Sequence, residues 1–178
     1  MPTLTASIPA VLVRPLREGD CFAHLTSLLH RAYRRQVEMG LRPLAGRQDQ
    51  SITRERALNS QCLVAELDSA IVGIILFEEK EEVDFPPHFL RPEVGHFSQF
   101  AVDPDVQGRG IGIALLDTVE RRAHEQGFTE LALSMAEPDS SLMGFYQHRG
   151  YKFVEHWQWP YTNYRSLILS KPLPETPR

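Results

Sequence analysis

The sequence predicts a mixed α/β fold in which a single layer of sheet is covered by helices. Short runs rich in β-branched and aromatic residues alternate with segments of helical periodicity. These segments follow one another in the order βααβββαβαββ, which is typical of one layered domain. With 178 residues, of which 42% are hydrophobic, the chain also has the size of a single domain. We expect one domain over 1–178, with frayed ends at 1–10 and 172–178.

The first half of the chain is expected to form a strand, two helices and a hairpin. Apolar residues from Phe22 to Tyr33 recur at helical spacing, and Gly40 ends the pattern. Asp20 is placed to cap the free N–H groups of the first helical turn. The expected elements are a strand at Val11–Arg14, this helix, a short helix near Thr53–Ser60, and paired strands at Cys62–Leu67 and Ile71–Phe77.

The second half is expected to alternate strands and helices and to end in a hairpin. A long loop at 78–93 precedes it and carries four glutamates within five residues. Loops of this length tend to be functional or disordered. The expected elements are strands at His96–Val102 and Leu131–Met135, a helix at Gly108–Gln126, a short helix from Asp139 or Ser140 to Arg149, and a hairpin of Phe153–Trp159 with Tyr164–Ser170.

Composition argues against several classes of protein. The net charge is −4 and the pI is near 6.0, whereas a nucleic-acid binder normally carries a basic face. The longest apolar run, Ile74–Phe77, is far shorter than a membrane-spanning helix, and the first residues lack the basic start of a secretory signal. Cys21 and Cys62 are too few for a metal cluster and do not suggest a disulfide scaffold. We expect a cytoplasmic protein without a metal, a nucleic-acid partner or a membrane partner.

A glycine-rich turn is the most informative segment. Gln107-Gly108-Arg109-Gly110-Ile111-Gly112 lies between a predicted strand and a predicted helix. Free N–H groups and the positive end of the helix dipole make such a turn a site for phosphate. A tight turn without a ligand is the alternative. Ile113 and Leu115 stand where a dinucleotide-binding G-x-G-x-x-G motif would need glycine, and no lysine follows as in a P-loop.

Two motifs together resemble the GNAT superfamily of acyl-CoA-dependent N-acyltransferases. The first is the strand Phe100-Ala101-Val102-Asp103-Pro104 followed by the turn and Ile113-Ala114-Leu115-Leu116. The second is Phe145-Tyr146-Gln147-His148-Arg149-Gly150-Tyr151, which is similar to the family's aromatic-Tyr helix before Gly-aromatic. The resemblance covers about residues 11–171. It implies a single mixed, largely antiparallel central sheet flanked by helices, and transfer of an acetyl group from acetyl-CoA to an amine.

The resemblance also implies residues that bind acetyl-CoA. Backbone N–H groups of Gln107, Gly108, Arg109, Gly110, Ile111 and Gly112 would hold the pyrophosphate. The strand Phe100, Ala101 and Val102 would pair with the pantetheine arm, and the Val102 N–H would polarise the thioester carbonyl. Asp139 stands where the family often has an asparagine that bonds the CoA arm. Asp139 can accept a hydrogen bond but cannot donate one as an amide does, and capping of a helix is its other interpretation.

Two side chains are candidates for catalysis. Tyr146 matches the family tyrosine that protonates the departing thiolate, with core packing as the alternative. His96 stands where some members carry a glutamate that removes the amine proton directly or through water, and a histidine bonded to a carbonyl is the alternative. Glu93 and Glu137 are weaker candidates for this base. A covalent intermediate on Cys21, aided by His24, is disfavoured because these residues are far from the motifs in sequence.

The acceptor itself is left open. The resemblance implies that it binds near Tyr33–Gln50, the 78–93 loop and His156–Tyr161. The glutamates could attract an amine or form a solvated loop, and the aromatics could line a slot or only pack in the hairpin. The acceptor could be a small molecule or a peptide amine, and a homodimer stays open. A non-catalytic acyl-CoA-binding or sensing module is the main alternative, and transfer to an oxygen or of a longer acyl chain is a third.

Overall fold

A computed structural model describes residues 10–175, so the fraying expected at residues 1–9 and 176–178 lies outside the described part. Seven strands form one sheet in the order β1-β2-β3-β4-β5-β7-β6. The strands are β1 (Leu12–Pro15), β2 (Gln61–Leu67), β3 (Ala70–Phe77), β4 (Val94–Val102), β5 (Glu130–Ala136), β6 (Lys152–Trp157) and β7 (Ser166–Pro172). The helices are α1 (Phe22–Ala32), α2 (Arg34–Glu38), α3 (Gln50–Leu58), α4 (Ile111–Glu125) and α5 (Ser140–His148).

The predicted mixed sheet flanked by helices is confirmed. Helix α4 packs its apolar stripe against one face of the sheet, and the stripe residues Ile111, Leu115, Leu116, Val119 and Ala123 are all buried. Helices α1 and α3 cover the other face around Leu25, Leu28 and Leu29. Only the β4–β5 pair is parallel among the described strands. The two helical faces therefore enclose the sheet, and both β4 and β5 lie in its interior.

Three local expectations were wrong. The helix expected to continue to Gly40 breaks at Tyr33, where ψ rises to 1°, so α2 is a separate short helix. Asp20 does not cap α1, because its carboxylate binds Arg14 and the N–H of Arg17 instead. The tail expected to fray from residue 172 is still ordered there, since β7 includes Pro172 and the N–H of Leu173 donates to the Thr129 carbonyl at 2.8 Å.

Strands β4 and β5 separate part of the way along their length. They pair in parallel from Val94 opposite Glu130 to Phe97 opposite Leu133, and no pairing is recorded beyond that point. Each strand continues by pairing only with its other neighbour, β4 with β3 and β5 with β7. The sheet therefore opens into a wedge between the second half of β4 and the end of β5. Backbone groups at this edge are available to a ligand.

A bulge in β4 accompanies the opening. Gln99 has a positive φ of 47°, an unusual conformation for a residue with a side chain, and the register with β3 shifts beside it. Its amide exchanges hydrogen bonds with the amide of Gln48, at 2.7 and 3.3 Å. Gln48 also donates to Thr53, which accepts from Thr26. Because this network is buried and satisfied, it can hold the strained residue in place.

Candidate active site

One cavity of about 600 Å³ occupies the wedge between β4 and β5. At one end it reaches the glycine turn before α4, where Gln107, Gly108, Gly110, Ile111 and Gly112 line it. Phe100, Ala101 and Val102 line its middle, and His96 and Tyr146 also face it. The structure thus brings together ten of the twelve residues that sequence analysis selected. The other two, Arg109 and Asp139, lie outside the cavity lining.

The glycine turn presents its backbone to the cavity without obstruction. Gly108 and Gly110 have φ angles of 80° and 79°, a left-handed conformation that side chains disfavour. Gly110 caps α4 with no side-chain hydrogen bond, so the first N–H groups of that helix remain for a ligand. A Cβ on Gly112 would come within 3.3 Å of the Phe100 ring. Arg109 is exposed beside the turn, where its charge adds to the positive end of the helix.

The edge of β4 offers hydrogen-bonding groups to the wedge. The Asp103 N–H donates to the Val72 carbonyl at 2.7 Å, so the backbone at Asp103 faces β3. Successive residues of a strand direct their N–H groups to opposite sides, so the N–H of Val102 points into the wedge. The Val102 carbonyl accepts from the Gln107 amide at 3.3 Å on the same side. A single extended ligand can therefore contact both this edge and the glycine turn.

Tyr146 reaches the cavity from α5. The ring packs 6.2 Å from Phe97 of β4 and 5.2 Å from Phe145, measured between centroids. The residue is only 4% exposed, and this burial raises the pKa of its phenol above the ordinary value of 10. The phenol therefore stays protonated at neutral pH. It is available as a hydrogen-bond donor to a charge that develops in the cavity.

Asp139 is fully buried and caps α5 through the N–H of Leu142 at 3.2 Å. Its other oxygen accepts hydrogen bonds from Arg35 and Gln36. Burial opposes ionisation, but the hydrogen bonds from Arg35, Gln36 and Leu142 outweigh it and lower the pKa of this carboxyl. Both carboxylate oxygens of Asp139 are thus occupied by hydrogen bonds from other residues of the chain. The contact with the CoA arm implied for this position stays a prediction.

We expect Asp139→Asn to lower the free energy of unfolding by about 1–3 kcal/mol at pH 7, because asparagine keeps the cap but loses the charge. A carboxyl with a lowered pKa stabilises the fold above its unfolded pKa of about 3.9 and loses that contribution as the pH falls through its folded value. The difference between the two proteins should therefore shrink below about pH 4. Urea unfolding of the wild type and of Asp139→Asn at pH 7 and pH 3 measures this difference in the free energy of unfolding.

Asp117→Asn is the matched control for this experiment. Asp117 pairs with Arg149, but its side chain is 55% exposed. The same substitution there should cost less than about 0.5 kcal/mol at either pH. Equal effects at the two positions, or a difference at position 139 that does not depend on pH, would contradict the assignment of Asp139 as a buried, ionised cap.

His96 lies at the first half of β4, on the opposite side of the cavity from the glycine turn. Its Nε2 is 3.2 Å from the Glu79 carbonyl, which can only accept, so Nε2 carries the proton of the neutral ring. The lone pair is therefore on Nδ1, which is buried without a hydrogen bond and lies 3.4 Å from a carboxylate oxygen of Glu78. The ring stacks on Phe89 at 4.7 Å. Protonation of Nδ1 would place a positive charge beside that carboxylate.

Sequence analysis missed a charged cluster at this end of the cavity. Glu79, which is 2% exposed, binds the Arg56 guanidinium through both its oxygens and also accepts from the Ser98 hydroxyl. Arg56 also contacts Glu81 at 2.8 Å. All four residues line the cavity. Of the two alternatives left open for these glutamates, a solvated loop is therefore wrong for Glu79 and Glu81. The one signal in the sequence is a run of glutamates directly after β3.

Aromatic side chains form the walls around this cluster. We call this half of the cavity the aromatic chamber, and its walls are Phe85, Phe89, Trp159, Tyr161 and Tyr164. The rings of Trp159 and Tyr161 are stacked at 5.8 Å, and the indole N–H of Trp159 donates to Ser134 of β5. Trp159 and Tyr161 thus both pack in the hairpin region and face the cavity.

The remaining candidates lie elsewhere. Glu93 pairs with Arg91, and Glu137 pairs with Arg165, both at the surface. Neither carboxylate lines the cavity, and neither do Cys21 and His24. Within residues 10–175, no group of three or more His, Cys, Asp or Glu side chains could hold a metal ion. The helices in the same range are too short or too polar to cross a bilayer.

Comparison with known proteins agrees with this geometry. The family model described as Acetyltransferase (GNAT) family matches residues 22–151. A GNAT family acetyltransferase from Elizabethkingia anophelis with acetyl-CoA bound superposes with a TM-score of 0.64, at 16% identity, over 92% of this chain and 98% of that one. The PaiA N-acetyltransferase from Thermoplasma acidophilum in complex with coenzyme A gives 0.64 at 18% identity, over 92% and 99% of the two chains. At these identities the superpositions show a shared fold.

A curated relative is similar over part of its length. The N-acetyltransferase 8B of Homo sapiens is 35% identical over 89 residues, which are 50% of this chain and 37% of that protein. The match therefore spans well under half of the relative.

Proposed function

The chain belongs to the GNAT acetyltransferase family, and from this we propose that it transfers the acetyl group of acetyl-CoA to an amine. One observation carries the proposal. A continuous cavity joins a glycine turn suited to a diphosphate with an aromatic chamber suited to an acceptor. The free edge of β4 lies between the two. Along a strand, Val102 and His96 are roughly 20 Å apart, which leaves room for an extended pantetheine arm.

The proposed reaction is a direct attack with both substrates bound. The nitrogen of the neutral amine forms a bond to the thioester carbonyl carbon, the C–S bond breaks, and the thiolate takes up a proton. In this proposal the Val102 N–H pairs with the pantetheine arm, and a backbone N–H of β4 nearer to His96 stabilises charge on the carbonyl oxygen. Tyr146, which packs on Phe97, donates to the sulfur. Holding the two substrates together in the wedge supplies much of the acceleration.

His96 is the proposed acceptor of the amine proton. Its free lone pair, on Nδ1, faces Glu78, and that carboxylate would stabilise the imidazolium. Nδ1 is buried beside Glu78, so in this proposal the 78–81 loop admits a water molecule that carries the proton to it. Burial of the ring against Phe85 and Phe89 keeps its orientation fixed.

We expect His96→Gln to lower kcat/KM about 100-fold near pH 7, because glutamine cannot take up the amine proton. Activity of the variant should recover as the pH rises, because a larger fraction of the amine is then already deprotonated in solution and needs no base. A pH–rate profile of both proteins measures this. His148→Gln changes an exposed histidine outside the cavity and should match the wild type. An unchanged His96→Gln profile would leave His96 as a packing residue.

A thiol-release assay over diverse amines tests the proposed function itself. The chain is incubated with acetyl-CoA and each amine, and free CoA thiol is followed together with the mass of the acetylated product. Transfer predicts thiol and product in equal amounts. A non-catalytic acyl-CoA-binding module predicts that acetyl-CoA binds in calorimetry while no amine releases thiol, and that result would reject the proposal.

A further inference from the structure

We propose that the acceptor is a primary amine attached to a flat aromatic group and without a carboxylate, and that the aromatic chamber binds it with the ammonium group at Glu81. This inference rests on the proposed function, because it names the substrate class of the same site. Three features of the chamber support it: its walls, its charge balance and the pairing of its cations.

The walls of the chamber are suited to a planar apolar group. Phe85 contacts Trp159 edge to face at 6.0 Å, while Trp159 and Tyr161 stack with an interplanar angle of 15°. Phe85 and Phe89 meet edge to face at 6.1 Å. Such a set of mutually oriented rings accepts one more ring in a stacked or edge contact. A polyamine chain would instead lose the hydration of several charges against apolar walls.

The charge balance of the chamber favours a cation. Arg56 is one positive charge shared by two carboxylates, with Nη2 2.8 Å from oxygens of both Glu79 and Glu81. Glu79 is satisfied, because it also accepts from Ser98. Within residues 10–175, the other contacts of Glu81 are long ones to the Tyr161 hydroxyl, at 3.3 and 3.4 Å. Burial raises the pKa of Glu81, which is the sign of a carboxylate short of partners. An ammonium group would complete its hydrogen bonding.

The cations that line the cavity already have partners. Arg56 binds two carboxylates, and Arg35 binds the buried Asp139. No other lysine or arginine is among the described lining residues. An acceptor with its own carboxylate or phosphate would therefore bury a negative charge near Glu81 without a counter-ion, which is costly. Free amino acids and phosphorylated amines are disfavoured on this ground.

Steady-state kinetics with three amines test the inference at saturating acetyl-CoA. The amines are 2-phenylethylamine, phenylalanine, which adds only a carboxylate, and spermidine. We expect kcat/KM for 2-phenylethylamine to exceed that for spermidine about tenfold and that for phenylalanine at least about 100-fold. If phenylalanine or spermidine is as good a substrate as 2-phenylethylamine, the inference is overturned.

Glu81→Gln tests the role of the carboxylate. Glutamine keeps a hydrogen-bonding group beside Arg56, so we expect the fold and the KM for acetyl-CoA to be retained, and the KM for 2-phenylethylamine to rise about tenfold. Glu82→Gln makes the same change at an exposed neighbour outside the cavity and should behave as wild type. A KM for the amine that is unchanged in Glu81→Gln overturns the assignment. Should that variant fail to fold, Tyr161→Leu must reduce the preference for the aromatic amine.

Binding measurements separate this inference from the proposed function. If acetyl-CoA binds and no amine releases thiol, the proposed transfer is rejected. Calorimetric titration of the same amines into the CoA-saturated chain then decides the inference alone. Binding of 2-phenylethylamine that exceeds binding of phenylalanine, and that weakens in Glu81→Gln, supports it. Absence of 2-phenylethylamine binding overturns it.

Discussion

Gly110→Glu is expected to abolish acetyl-CoA binding, with a loss of affinity of at least about 100-fold. The new carboxylate would lie at the start of α4 and would compete for the N–H groups that the proposed diphosphate needs. It would also repel the negative charges of the diphosphate. A Cβ at this position meets nothing within 4 Å, so the fold should persist. Calorimetric titration of acetyl-CoA, with thermal unfolding of both proteins, measures the two effects separately.

Gly127→Glu controls for backbone strain in this experiment. Gly127 has a φ of 90° and free space around its Cβ, and it follows the opposite end of the same helix. Glutamate at either position costs roughly 1–2 kcal/mol of stability because of the left-handed conformation. Only Gly110→Glu should lose its affinity for acetyl-CoA, whereas Gly127→Glu should bind it as the wild type does. Retention of wild-type affinity in Gly110→Glu would show that the glycine turn is only a turn.

Local signals in the sequence are sufficient for most elements of the fold. The apolar stripe of α4 and the β-rich runs of β2 and β3 depend on spacing within one segment, and spacing can be read without a structure. The position of β7 between β5 and β6 depends on contacts between distant segments, which spacing does not report. Helix α2 has only five residues, too few for a periodic pattern. Asp20 was misassigned because Arg14, its actual partner, lies on a different element.

The residues of the candidate site also fall into two groups, those that a local motif predicts and those that only folding brings together. The turn and the strand before it are contiguous, so one motif predicts both. The cluster of Arg56, Glu79 and Ser98 draws on three separated segments and exists only after folding. Glutamates in a polar loop are usually solvated, and Glu79 departs from this only because Arg56 offsets its charge in the interior. Ser98-Gln99, two polar residues in succession within a buried strand, is the one visible sign of the bulge.

Tyr146→Phe is expected to lower kcat by about 100- to 1,000-fold while the KM for acetyl-CoA changes less than about threefold. The reason is the developing negative charge on sulfur, which the phenol stabilises by donating a hydrogen bond. Burial holds the pKa of Tyr146 above that of a thiol, so the phenol keeps its proton and stabilises the charge on sulfur as a hydrogen-bond donor. The raised pKa also means that Tyr146 adds no loss of activity up to about pH 10. Single-turnover rates across pH measure both effects.

Tyr151→Phe distinguishes this role from packing. Its hydroxyl donates to Glu120 at 2.9 Å, and its ring lies 5.6 Å from that of Tyr146 but outside the cavity lining. Removing that hydroxyl should cost about 1 kcal/mol of stability and leave kcat unchanged. Removing the hydroxyl of Tyr146 should do the reverse, because its contribution arises in the transition state rather than in the folded ground state. Wild-type turnover in Tyr146→Phe would make Tyr146 a core residue, and another group in the wedge would have to stabilise the charge on sulfur.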